Sequence, residues 1–298
     1  MRQEGTNMKK SNFLEYVVFI GPAIFFFIPI VIIPFLLSIY YSLTDWDGVS
    51  SIVNFVGLDN YKKILSGDEL FRNSFWFTVR FSVASVLVIN LIGFFLALLL
   101  SKKMKFRNTY RTVFLLPNLI GGVILGFIWQ FIFVKGFSKV GTLTRINFFE
   151  WPWLGDAFTA FWGLVIVQSW QFAGYVMVIY IASLVNVPKE LIEAAEMDGA
   201  SKWIVLKNVI IPLIMPAFTI CFFFSISLCF KVFDINLALT KGGPFNSTES
   251  VALNIYHETF RSNNYGVGTA KAFIFFLAVA LVTTLQVFFF NKRERDSY

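Results

Sequence analysis

The stretch ELIEAAEMDGASKWIVLKNVIIPLIMP, Glu190–Pro216, sets the organisation of the chain, because it puts charge where the flanking sequence has almost none. Four acids lie within nine residues, namely Glu190, Glu193, Glu196 and Asp198. Pro188 suits a first helical position, and an acid in the first turn is favoured by the helix dipole. Gly199 can take the left-handed conformation that ends a helix. We therefore expect two short helices, about Pro188–Met197 and Ala200–Lys207, joined by a turn.

The composition around this stretch is that of a membrane protein. Of the 298 residues, 57% are hydrophobic, 19% aromatic and only 14% charged, which lies outside the range of soluble domains. The formal net charge is +7, but the basic residues stand in short groups beside apolar runs. That pattern anchors and orients membrane segments and does not indicate nucleic-acid binding.

Six nearly uncharged stretches are long enough to cross a bilayer, which requires about 20 apolar residues each. Each must be helical, because backbone polar groups in lipid have to be satisfied within the segment. The chain is therefore expected to be an all-α polytopic membrane protein with one transmembrane domain, residues 1–298. The expected spans are about 14–43, 75–101, 111–134, 157–186, 207–233 and 269–291, with a cytoplasmic loop at about 188–206.

The distribution of lysine and arginine predicts the orientation. With the N-terminus inside, basic residues are densest in the inner segments, as the positive-inside rule requires. These residues are Arg2, Lys9, Lys10, Lys102, Lys103, Lys105, Arg107, Arg111, Lys189, Lys202, Lys207, Lys292, Arg293 and Arg295. Both termini are therefore expected inside, and the acidic stretch is expected on the cytoplasmic side.

Motifs for catalysis or metal binding are not evident. The sequence has no Gly-rich Lys-Ser/Thr phosphate loop, no H-E-x-x-H, no G-x-S-x-G and no Cys/His cluster. The sole histidine, His257, is expected to be a solvated residue in an outer loop. We expect no catalytic residue, no metal site and no cofactor bound by this chain, so any energy source must come from another chain.

Neutral polar and aromatic residues remain within the spans, namely Asn118, Gln168, Trp170, Gln171, Tyr175, Tyr180 and Ser225. Such groups can stack on and hydrogen-bond a neutral polyhydroxylated solute. They can equally serve as interhelical hydrogen bonds and interfacial aromatics. The two amides and the indole of Gln168–Gln171 are the least easily explained by packing alone.

The acidic loop favours a protein partner. A helix that rests on anionic lipid should be basic, whereas the first half of this loop has four acids and only Lys189. The small Ala194 and Ala195 permit close approach, and Glu193 offers an acceptor. An interfacial loop without a partner is the simpler alternative.

EAAEMDGASKWIVLKNVIIP resembles the EAA loop of binding-protein-dependent ABC importer permeases. The matching positions are Glu193, Ala194, Ala195, Gly199, Val209, Ile211 and Pro212, where Val209 and Ile211 replace the usual Ile and Leu. Other segments resemble carbohydrate permeases of the MalF/UgpA-like, multiple-sugar type. They are SLTDWDG, FVGLDNYKKIL, YRTVFLLPNLIGGVILGFIWQFIF and LTKGGPFNSTESVALNIYHETF.

This resemblance implies a type I importer permease (MetI-like) fold in a bacterial or archaeal plasma membrane. It implies a MalG-like second permease as heterodimer partner, two ATP-binding subunits that act on ATP and Mg, and an extracytoplasmic sugar-binding protein. Coupling to the ATPase would involve Glu193, Ala194, Ala195, Asp198, Gly199 and Pro212. The sugar path would involve Gln168, Tyr175, Ser225, Asn118 and Trp170.

Two other classes of function compete with this interpretation. A self-sufficient channel or secondary transporter for a small neutral polar solute is the main alternative. A secondary transporter with inverted repeats usually has paired interrupted helices, and the sequence does not predict them. An intramembrane enzyme would need paired catalytic groups within the spans, which the sequence does not contain.

Overall fold

The structure, a computed structural model, describes residues 18–102 and 104–295, with side chains up to residue 290. Arg2, Lys9, Lys10, Lys103 and the expected start of the first span at residues 14–17 lie outside the described residues. The helices are α1 (Val18–Ser42), α2 (Asp59–Gly67), α3 (Glu69–Ser101), α4 (Arg107–Leu115), α5 (Gly122–Thr144), α6 (Asn147–Glu150), α7 (Ala157–Val185), α8 (Lys189–Met197), α9 (Lys202–Leu213), α10 (Met215–Phe230), α11 (Asp234–Leu239), α12 (Val251–Tyr256) and α13 (Tyr265–Arg295). The described residues contain one isolated β-bridge and no strand.

Five of these helices, α1, α3, α5, α7 and α13, are long and apolar enough to cross a membrane. A sixth span is obtained if α9 and α10, which meet at 71°, are taken as one broken span. The all-α fold with up to six spans is the one expected from the sequence.

The third hydrophobic segment differs from its expected bounds. It was expected as one helix at 111–134, but α4 ends at Leu115 and a 3-10 turn covers Leu116–Leu119 before α5 begins. Pro117 lies in this turn, where it provides no N–H donor and its ring prevents a regular helix from continuing. The membrane-spanning helix is therefore shifted to Gly122–Thr144.

The fifth segment, expected at 207–233, is also interrupted. The buried Ile214 separates α9 from α10, and α10 ends at Phe230. Pro212 and Pro216 flank the break, and each removes one helical N–H donor. Two of the hydrophobic segments therefore contain a break within their expected bounds.

Contacts divide the chain into two compact units. One comprises the chain up to Gly67 with Ile255–Ile274, and the other comprises Asp68–Asn254 with the chain from Phe275. The core of the second unit is formed where α3 packs along α7 and α10 packs on both. Its fully buried side chains include Phe81, Ile89, Val176, Met177 and Cys221. Because lipid tails are as apolar as these side chains, close van der Waals packing between the helices, and not removal of apolar surface from water, stabilises such a core.

In the first unit, a buried ion pair lies in a region where the sequence predicted little charge. The Nζ of Lys271 in α13 is 2.6 Å from a carboxylate oxygen of Glu258, and the Lys271 side chain is 1% exposed. Burial of such a pair is tolerated only because the charges satisfy each other. His257, expected as a solvated residue in an outer loop, begins a helical turn and is half-buried, so it is partly solvated.

Candidate functional site

The acidic loop forms a helix, a tight turn and a second helix. Helix α8 ends in a Schellman arrangement: the N–H of Gly199 donates to the carbonyl of Glu196, and that of Ala200 donates to Ala195, both at 3.0 Å. Gly199 has φ +83°, a conformation that costs most other residues about 1–2 kcal/mol. The Ser201 hydroxyl then accepts a hydrogen bond from the N–H of Ile204 and caps α9.

This turn has an exposed surface that combines acid and apolar groups. Glu193, Ala194 and Asp198 are exposed, and Ala195 is half-buried. Met197 is 87% exposed and Trp203 is 69% exposed. Met197 lies outside the candidate spans, and a large apolar side chain exposed there beside acids indicates a contact surface for another molecule.

Pro212 does not belong to the exposed surface of the turn. It lies half-buried in the last turn of α9, immediately before the break at Ile214. The structure therefore divides the expected coupling residues into an exposed group at the turn and one residue at the bend of the fifth segment.

A second polar region lies within the helices. Gln168 and Gln171, one helical turn apart on α7, line a cavity of about 210 Å³. The Nε2 of Gln171 donates to the carbonyl of Ile120 at 3.1 Å. Gln168 is 3% exposed, and its Oε1 accepts no hydrogen bond from a described residue. A buried amide oxygen without a partner is costly, so it requires an explanation.

Ser225 lies outside this cavity, in a buried hydrogen-bond network. The Nδ2 of Asn90 donates to the Ser225 hydroxyl at 3.2 Å, and the hydroxyl of Tyr180 donates to the Oδ1 of Asn90 at 2.9 Å. The network links α3, α7 and α10. In this conformation Ser225 joins helices, which is the packing role that the sequence left open.

The other expected pathway residues are dispersed. The Tyr175 ring stacks on Phe224, with centroids 4.4 Å apart. Asn118 is half-buried in the 3-10 turn before α5. Trp170 is 44% exposed and makes an edge contact with Trp129. None of these lines the cavity that contains Gln168.

The sequence did not identify three polar residues of this region. Lys231 and Asp234 line the same cavity as Gln168, and Asn90 connects Ser225 to Tyr180. Lys231 lies near the end of the expected fifth span, 207–233, and Asp234 directly follows it, but neither was expected in the sugar path. Asn90 is a single amide in the second apolar run, which was a signal available from the sequence.

Comparison with known proteins gives a consistent result. Residues 89–295 match the family described as binding-protein-dependent transport system inner membrane component. The probable starch degradation products transport system permease protein AmyD of Thermoanaerobacterium thermosulfurigenes is 48% identical over 290 residues, 96% of this chain and 98% of AmyD. The multiple sugar-binding transport system permease protein MsmF of Streptococcus mutans is 32% identical over 261 residues, covering 88% and 90% of the two chains.

A solved structure matches the fold. It is the crystal structure of a bacterial alginate ABC transporter in complex with an alginate pentasaccharide-bound periplasmic protein. One of its chains aligns with a TM-score of 0.78 at 19% identity, and the alignment covers 96% of each chain. At this identity the likeness concerns the fold alone.

Proposed function

Since this chain belongs to the family of binding-protein-dependent transport system inner membrane components, we propose that it carries a carbohydrate inward across the membrane. It is a multi-pass permease subunit of a sugar ABC importer with the type I (MetI-like) fold. ATPase activity lies in separate subunits of such importers. The self-sufficient channel or secondary transporter is the alternative to be tested.

The proposed assembly follows the known organisation of the family. This chain pairs with a second, MalG-like permease, two ATP-binding subunits act on ATP and Mg, and an extracytoplasmic protein delivers the sugar. The cavity of about 210 Å³ supports a two-permease pathway, because typical ligand pockets occupy about 300–1,000 Å³. In this proposal the partner permease contributes the remaining wall.

The exposed turn at Gly199 is the observation that best supports a role of this loop in coupling to the ATPase. We assign the ATPase contact to Glu193, Ala194, Ala195, Asp198 and Gly199. Glu193 provides a charged acceptor, and the adjacent Met197 provides exposed apolar area that a protein cleft can bury. Closure of the two ATPases then moves α8, and the break near Pro212 allows α9 to tilt relative to α10.

The sugar path is assigned to the cavity lined by Gln168, Gln171, Lys231 and Asp234. Amide, ammonium and carboxylate groups together donate and accept the hydrogen bonds that sugar hydroxyls require. In this proposal Tyr175 and Ser225 enter the path when the helices rearrange, with Asn118 and Trp170 at its periphery. The name of the AmyD relative favours oligosaccharides released from starch as the substrate class.

Replacing Gln168 by Leu tests this path, because it separates stability from transport. Its Oε1 has no hydrogen-bond partner in the described chain, so removal of the amide should lower the Tm less than removal of the bonded amide of Gln171 does. Loss of one hydrogen bond to sugar should lower kcat/KM for ATP-driven uptake about tenfold. Uptake of labelled maltotriose into proteoliposomes that contain the complete importer measures the effect.

Gln171→Leu is the matched control. It removes an amide of the same helix, and this amide donates a hydrogen bond to the carbonyl of Ile120. The substitution should therefore lower the Tm as well as sugar uptake. If Gln168→Leu lowers the Tm as much as Gln171→Leu does, or leaves uptake unchanged, Gln168 does not contact the sugar.

A further inference from the structure

A cavity of about 430 Å³ lies where three spanning segments end on one side of the membrane. It is bounded by the ends of α3 and α7, by α8 and by the start of α9. Its apolar lining consists of Leu98, Leu184, Val187, Ile192, Val205, Leu206 and Ile210. None of the proposed sugar-path residues lines it, so it is a separate site.

The polar lining of this cavity is mainly cationic. It consists of Ser101, Lys102, Lys202 and Glu196. Lys102 and Lys202 are both exposed, and neither forms an ion pair within 4.0 Å with a described residue. The cavity therefore combines an apolar wall with two ammonium groups that one acid cannot fully neutralise.

The membrane position of the cavity selects the kind of ligand. With the termini inside, the ends of α3 and α7 and the start of α9 lie at the cytoplasmic leaflet, where anionic lipids are abundant. Basic pockets between helices on this side bind anionic headgroups. An acyl chain can cover the apolar wall beside the lysines, whereas a soluble anion would leave that wall exposed to water.

We propose that this cavity binds an anionic phospholipid of the inner leaflet, with its phosphate on Lys102 and Lys202 and one acyl chain along the apolar wall. The ligand would contact the back of α8. Ile192 and Glu196, one turn apart, line the cavity, whereas Glu193 and Met197 do not. Bound lipid therefore supports α8 from the membrane side and leaves its exposed face available.

The expected effect of the lipid on sugar uptake rests on the proposed coupling role of α8. Binding of the lipid to the cavity does not depend on that role. By holding α8 against the membrane, the phospholipid reduces the freedom that the helix must lose when an ATPase docks on it. Uptake by the importer should therefore be faster in vesicles with phosphatidylglycerol than in vesicles of phosphatidylcholine alone.

The test compares the double variant Lys102→Gln/Lys202→Gln with the matched control Lys189→Gln/Lys207→Gln in the purified importer complex. The control removes the same charge from the same membrane side, at exposed lysines that do not line the cavity. Native mass spectrometry measures retained phosphatidylglycerol. The cavity variant should bind it about 30-fold more weakly, the effect of two lysine contacts at about 1 kcal/mol each, and the control should bind it as the wild type does.

Three results would overturn the lipid site. They are equal loss of phosphatidylglycerol in both double variants, equal retention of phosphatidylcholine by the wild type, and displacement of the lipid by soluble glycerol phosphate. Normal stimulation of uptake by phosphatidylglycerol in the cavity variant would overturn the consequence for coupling. Since lipid retention is measured without transport, the three results that would overturn the lipid site are independent of whether the sugar is identified correctly.

Discussion

Replacing Glu193 by Lys is expected to abolish ATP-driven sugar uptake while the protein still inserts into the membrane. Glu193 is exposed on α8, and no described residue forms a salt bridge with it, so the substitution breaks no ion pair within the chain. At the ATPase interface it reverses the charge of a proposed contact, which typically costs about 2–5 kcal/mol. That corresponds to a decrease of about 30-fold or more in affinity for the ATPase subunit. Co-purification of the ATPase and sugar uptake measure the two effects.

Glu190→Lys is the control for this prediction. Glu190 lies on the same helix and is also exposed. Its replacement by Lys therefore changes the net charge by the same amount and also alters an exposed position of α8. Because Glu190 lies in the first turn, its replacement should cost only the helix-dipole contribution, about 0.3–1 kcal/mol. If both variants lose the ATPase equally, the effect arises from net charge and the specific role of Glu193 is wrong.

Replacing Gly174 by Leu is expected to prevent the second unit from folding normally. Gly174 on α7 lies against the backbone of α4: a side chain would overlap the carbonyl of Phe114, and its Cβ would lie 3.0 Å from the backbone N of Leu115. Backbone cannot move aside as a flexible side chain can, so overpacking should cost about 3 kcal/mol or more. The expected result is loss of monodisperse protein after extraction in detergent.

Gly121→Ala provides the comparison. Gly121 has φ −59° and ψ 138°, which alanine adopts readily, and an added Cβ would have no atom within 4 Å. This variant should retain the wild-type Tm and elution profile. If Gly174→Leu behaved like Gly121→Ala, the close packing of α7 on α4 would be incorrect.

The sequence predicted well those features that depend on local chemistry. The turn at Gly199 follows from a glycine placed after an amphipathic segment, and the structure forms it with φ +83°. The apolar runs were long enough to be recognised from length alone. The expected third span nevertheless began too early, because apolar composition alone set its bounds although Pro117 interrupts the helix within them.

Features that depend on distant residues were not predictable in the same way. The hydrogen bond between Asn90 and Ser225 joins residues 135 positions apart, and no local pattern indicates it. Lys231 and Asp234 stand at and just beyond the end of the expected fifth span, and no local pattern relates them to Gln168. Only the packing of the helices brings them to the cavity with Gln168.

Reconstitution of sugar uptake tests the central claim most directly. Proteoliposomes that contain this chain, its partner permease and the ATPase subunits should accumulate labelled maltotriose only when external binding protein and internal ATP are both present. The chain by itself should give no flux above empty liposomes. Maltotriose flux through the chain alone, or accumulation that requires an ion gradient and no ATP, would contradict the account and support a self-sufficient channel or secondary transporter.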